Sequence, residues 1–132
     1  MLEVREVEFE SPIAEALLRM FKKEWPDLTS FERKKNEVVI PKPLGAFEKE
    51  SLVGGVSFCG YIGLNGEGTA IWVNAVYTYP SKRKLGVASC LIKEAVSRTP
   101  KLYALTHIPK LYTKLGWRIV GNTSEGIQLQ SW

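Results

Sequence analysis

Apolar positions along the 132-residue chain switch between two periods. A spacing of two, imperfectly kept by Leu2, Val4, Val7 and Phe9, predicts a first strand over 2–9. Helical spacing follows at Ile13, Leu17, Met20, Phe21 and Leu28, with Ser11 as cap and Pro12 in the first turn. Pro26 stops that helix, and "DLTSFERKKN" (27–36) is expected as a second short helix capped from Asp27. Pro41 and Pro43 then break the chain. Three strand-like segments come next, 44–50, 51–63 and 69–78, parted by turn residues in "EKES" and "LNGEG". The helical period returns over 86–98, where Val87, Leu91 and Ala95 share one face beside Ala88, Ile92 and Val96. Thr99-Pro100 ends it; a short buried strand (101–106), a short helix closed by Gly116 and a final pair of strands (117–122 and 126–132) complete the order.

That order predicts one mixed α/β domain over 1–132, with a βαβ unit at its centre. The length supports one real core and not two. Hydrophobic residues at 45% and charged residues at 24% are an ordinary globular balance. No apolar run approaches the roughly 20 residues of a membrane span, and "MLEVREVEFE" lacks the form of a signal peptide, so a cytoplasmic protein without membrane partners is expected.

Candidate chemistry narrows quickly. Cys59 and Cys90 form no CxxC, and in a chain read as unexported they are expected to be reduced core residues. His107 is the single histidine, so metal-ligand spacing is absent and a Cys–His nucleophile has little to stand on. The net charge of +4 favours anionic partners, whether nucleic acid, a nucleotide cofactor or an acidic substrate. Scattered basic residues without an RNA- or DNA-binding pattern argue against nucleic acid.

The most informative stretch is "TYPSKRKLGVASCL" (78–91). A strand hands over to a helix near Gly86, where helix-start amides and the helix dipole suit an anion, phosphate above all. Gly86 and Ala88 keep the backbone bare, and Lys82, Arg83 and Lys84 add positive charge. No GxxxxGK[ST] or GxGxxG motif is present.

Together, "NAVYTYPSKRKLGVASCLI" and "LYTKLGWRIVG" resemble two ordered motifs of the GNAT N-acetyltransferases. The first matches a strand, a proline and Arg/Gln-x-x-Gly-x-Gly/Ala opening a helix, here Pro80, Arg83, Gly86 and Ala88. The second matches Tyr-x-x-x-Gly-Phe/Trp, here Tyr112, Gly116 and Trp117. The resemblance covers 69–121 in detail and the first 45 residues by element order alone. It implies a central mixed sheet of about six to seven strands, helices on both faces, and a splay between two central parallel strands.

The same resemblance implies acetyl-CoA as cosubstrate, no metal, and direct attack of an amine on the thioester. Carried over, Val76, Tyr77 and Thr78 would pair with the pantetheine arm, and Arg83, Lys84, Leu85, Gly86, Val87, Ala88 and Ser89 would hold the pyrophosphate. Tyr112 matches the general acid that protonates the leaving thiolate. The strand "TAIWVNA" lacks the glutamate many relatives carry, which leaves the base open. His107 is a candidate, as the one side chain that titrates near neutrality unaided, against a plain capping role or a water chain. Trp25, Phe31, Tyr61 and Trp72 are the implied acceptor pocket, each with an ordinary core reading beside it. The expected protein is a monomer or homodimer that acetylates a small-molecule or peptide amine, the alternative being a non-catalytic acetyl-CoA-binding regulatory module.

Overall fold

The computed structural model describes residues 2–66, 68–83 and 85–132, Asn65 by its backbone. Among the described residues, nine strands and three α-helices run in the order β1 (Leu2–Glu6), α1 (Pro12–Lys22), β2 (Lys34–Lys35), β3 (Val38–Val39), β4 (Leu44–Glu48), β5 (Ser51–Ile62), β6 (Thr69–Thr78), α2 (Val87–Arg98), β7 (Tyr103–Thr106), α3 (Lys110–Thr113), β8 (Arg118–Thr123) and β9 (Gly126–Gln130). Seven strands form one mixed sheet, ordered β1-β4-β5-β6-β7-β9-β8. Among these neighbours, β6 and β7 alone are parallel, joined by α2 as the crossover. No described helix is long and apolar enough to cross a membrane.

The two long helices cover opposite faces, and the sequence prepares a place for each. Ser11 Oγ accepts from the Ala14 amide at 3.1 Å, Pro12 fills the first turn, and Ala14, Leu17 and Phe21 are buried. These meet Ala75 and Tyr77 of β6 and Val7 in one cluster. On the other face Val87, Leu91, Ile92 and Ala95 of α2 pack with Val53, Val56 and Phe58 of β5 and with Leu102, Ala104 and Leu129. Adjacent glycines of β5 serve the two faces in turn. A Cβ on Gly55 would collide with Leu17 Cδ1, and one on Gly54 would stand 3.1 Å from Val87 Cγ1 and 2.6 Å from the Tyr77 carbonyl. Strand alternation sends neighbouring side chains to opposite faces, so two missing side chains let both helices close in.

One expected element is replaced. Residues 27–36 form no helix; the chain turns after Trp25 and ends in the β2–β3 hairpin. Asn36 and Glu37 occupy the left-handed region at φ 47° and 70°, the requirement of a tight hairpin turn, which asparagine tolerates. The hairpin lies on β5, where a Cβ on Gly60 would meet Lys35 Cβ at 2.6 Å. Glu32 Oε1 accepts from the Gly60 amide at 2.6 Å. Tertiary contact has overridden a charged stretch whose helical signal was local.

Candidate active site

Two irregularities in the sheet build the site. Strands β6 and β7 bridge at Trp72 and Tyr103 only. Beyond that bridge, β6 from Val73 to Thr78 has no strand partner on its β7 side among the described residues. On the β5 side, Ser57 pairs with Ala75 and Phe58 with Val73, so Asn74 is the extra residue of a bulge. A bulge re-aims a side chain and bends the strand, and Asn74 stands exposed within a run that is otherwise buried or half-buried.

A cleft of about 630 Å³ opens where the two strands part. Its lining joins residues 73–78 of β6, Gly86 to Ser89 at the start of α2, Leu105 and Thr106 at the end of β7, and Leu111 and Tyr112 of α3. Glu24 and Trp25 enter from the turn after α1. The α2 start is bare: Gly86 is the N-cap, at φ 81°, and no side chain caps the helix. The first intrahelical bond runs from the Cys90 amide to the Gly86 carbonyl at 3.0 Å, and among the described residues none accepts from the helix-start amides before Cys90. A Cβ on Gly86 would meet no protein atom within 4 Å. Those amides, the positive end of a 12-residue helix and open space in front of them make a cradle that fits a phosphate.

Among the described lining residues Arg83 is the one cation. Its Nε donates to the Thr78 carbonyl at 2.9 Å, and its guanidinium lies 3.4 Å from a Glu24 carboxylate oxygen and 5.4 Å from the centre of the Tyr77 ring. The arginine is thus held at the mouth by partners that a bound anion could replace.

Tyr112 is part of the cleft wall. Gly116, at φ 93°, ends the short α3 in the left-handed conformation, and the Trp117 amide then donates back to the Tyr112 carbonyl at 3.2 Å. The Trp117 ring packs edge-on to that of Tyr112 at 4.8 Å. Tyr112 is 4% exposed, and burial pushes its phenol above the ordinary tyrosine range, so it remains a proton donor.

The other candidates distribute unevenly. Val76, Tyr77, Thr78, Arg83, Gly86, Val87, Ala88, Ser89, Tyr112 and Trp25 all line the cleft. Leu85 is 62% exposed and stands outside the lining, while Lys84 lies outside the described residues. His107 is exposed and is not brought into the cleft, although its neighbours Thr106 and Ile108 are. The Ile108 amide donates to Thr106 Oγ1 at 3.0 Å, a local turn that presents the two flanking residues instead. Phe31 also stands apart, packed edge-on to Phe21 at 5.9 Å beside a separate cavity of about 180 Å³. Tyr61 and Trp72 line a second large cavity whose wall shares Val73, Asn74 and Leu105 with the cleft.

Glu24, Asn74 and Thr106 were not singled out from the sequence. The lone polar residue of "IWVNAVY" was the available signal for Asn74. Glu24 gave none, since its place depends on how the chain leaves α1.

No protein-family model matches the sequence, and no curated protein matches it. Solved structures do match in fold. An aminoglycoside acetyltransferase from an uncultured soil metagenomic sample is 22% identical, with 92% of this chain and 94% of that chain covered and a TM-score of 0.65. NAA60 of Arabidopsis thaliana, solved with a bisubstrate analogue, is 19% identical over 98% of this chain and 95% of that one, again at 0.65. An aminoglycoside 6'-N-acetyltransferase complexed with coenzyme A is 15% identical over 97% and 94%, with a TM-score of 0.67. The mixed sheet, its two parallel central strands and these likenesses agree: the chain has the fold of the GNAT acetyltransferase superfamily.

Proposed function

We propose that the protein is an acetyl-CoA-dependent N-acetyltransferase acting in the cytoplasm on a primary amine. One observation carries the reading: a single cleft joins the unpaired edge of β6, the uncapped start of α2 and the buried hydroxyl-bearing Tyr112. The similar structures, one of them holding coenzyme A, support it. Tyr112 in the cleft favours catalysis over a coenzyme-sensing module without chemistry.

When bound, acetyl-CoA supplies an acetyl group activated as a thioester. The amides of Gly86 to Ser89 would hold its pyrophosphate, and Arg83 would exchange Glu24 for a phosphate oxygen. The free edge of β6 from Val76 to Thr78 offers backbone partners to the pantetheine amides. Tyr112, kept protonated by burial, delivers a proton to the departing sulfur. In the net change an N–C bond forms and a C–S bond breaks. The acceptor ammonium gives up two protons, one ending on the thiol and one in solvent.

The test is thiol release from acetyl-CoA with a panel of primary amines, read beside mass spectrometry of the amine. Amine-dependent release with a 42-dalton gain on nitrogen is the expected result (about 42 from the mass of an added acetyl group less a proton). Tight coenzyme binding with no amine-dependent release would overturn the catalytic reading.

A further inference from the structure

The second cavity differs electrically from the first, whose described lining pairs Arg83 with Glu24. It encloses about 550 Å³, inside the range of about 300–1,000 Å³ for small-molecule pockets. Its described lining includes no lysine, arginine or histidine, and Glu125 is its one carboxylate, in a chain that carries 18 Lys+Arg. Cys59 adds no charge near neutrality, because burial pushes its thiol up to about 11. An ammonium ion is therefore favoured there and a carboxylate is not.

The remainder of the wall is aromatic and apolar. Trp72 is 6% exposed and stacks on Tyr103 with ring centres 4.8 Å apart, which fixes its plane. Tyr61 stands edge-on to it at 6.3 Å and is 62% exposed, and Ile62 extends the apolar surface. Among the described residues Trp72 Nε1 has no hydrogen-bond partner. Buried donors are seldom left so, and the unpaired one belongs to a residue of this wall. A flat apolar group matches the rings, and Asn74 lines both this cavity and the cleft.

We infer that this cavity is the acceptor subsite, and that it selects a small monocationic amine carried on a flat apolar group rather than a peptide or an amino acid. The inference rests on the acetyl-transfer reading above. Its test compares 2-phenylethylamine with butylamine, phenylalanine and an alanyl peptide, by thiol release and by calorimetry on the coenzyme A-loaded protein. We expect 2-phenylethylamine to have a kcat/KM at least about tenfold above each of the others. Glu125→Gln and Tyr61→Ala should each raise its KM about three- to tenfold, with the coenzyme Kd unchanged. Both side chains are exposed, so the substitutions spare the core. A preference for phenylalanine, butylamine or the peptide overturns the inference. So does an unaltered KM in Glu125→Gln, or coenzyme binding with neither turnover nor heat from 2-phenylethylamine. Failure of coenzyme A itself to bind overturns the underlying reading instead.

Discussion

Tyr112 owes its place to Gly116. With that glycine in the left-handed region, Trp117 folds back on the tyrosine ring and the phenol is fixed in the cleft wall. Phenylalanine keeps this packing and removes the proton. Tyr112→Phe should lower kcat about 10²-fold and leave the coenzyme Kd unchanged in calorimetry; an unchanged kcat removes the residue as the acid. The pH profile is a separate check. Burial raises the phenol above its ordinary value of about 10, so the protonated, competent form persists as pH rises through the neutral and mildly alkaline range. Turnover should climb with pH as the acceptor amine loses its proton, without an alkaline fall that disappears in Tyr112→Phe below about pH 10. This tyrosine was legible because a fixed spacing ties it to Gly116 and Trp117. Asn74 was not, since its role arises from a bulge between two strands that no local pattern announces. His107 lies outside the cleft lining although Thr106 and Ile108 on either side belong to it, a difference of one step along a turn that sequence position does not resolve.

At the scale of elements, the pair Gly54-Gly55 decides how closely the helices approach the sheet. Leu17 is fully buried, so its contact with a new methyl on Gly55 cannot be relieved by swinging into solvent. Gly55→Ala should destabilise the protein by about 1–3 kcal/mol, measured as a shift in the denaturation midpoint. A neutral result would show that α1 can move off the sheet at little cost. The strong amphipathic patterns of α1 and α2 were readable because each buries one continuous stripe. The β2–β3 hairpin was not, for its strands are two residues each and their pairing depends on the surface of β5 beneath them. Charged sequence without an apolar stripe holds little information about which local structure its neighbours will impose.

For the whole molecule, the order of elements was enough to predict a mixed sheet with a central βαβ unit, and the sheet order agrees. What the order could not show is that two cavities with different linings lie side by side at β6, sharing Val73, Asn74 and Leu105. One collects the start of α2 and the Arg83–Glu24 pair; the other collects aromatic rings and Glu125. An anionic cosubstrate and a cationic acceptor can thus be drawn to the same junction from different sides. All of this depends on the α2 start holding a diphosphate. The most direct measurement is calorimetric titration of coenzyme A into the wild-type protein and into Gly86→Glu, with circular dichroism to confirm that both are folded. We predict binding by the wild type with a Kd on the order of micromolar, weakening as salt rises, and at least a tenfold loss in the variant. No heat with the wild type, or equal affinity in a folded Gly86→Glu, would contradict the account.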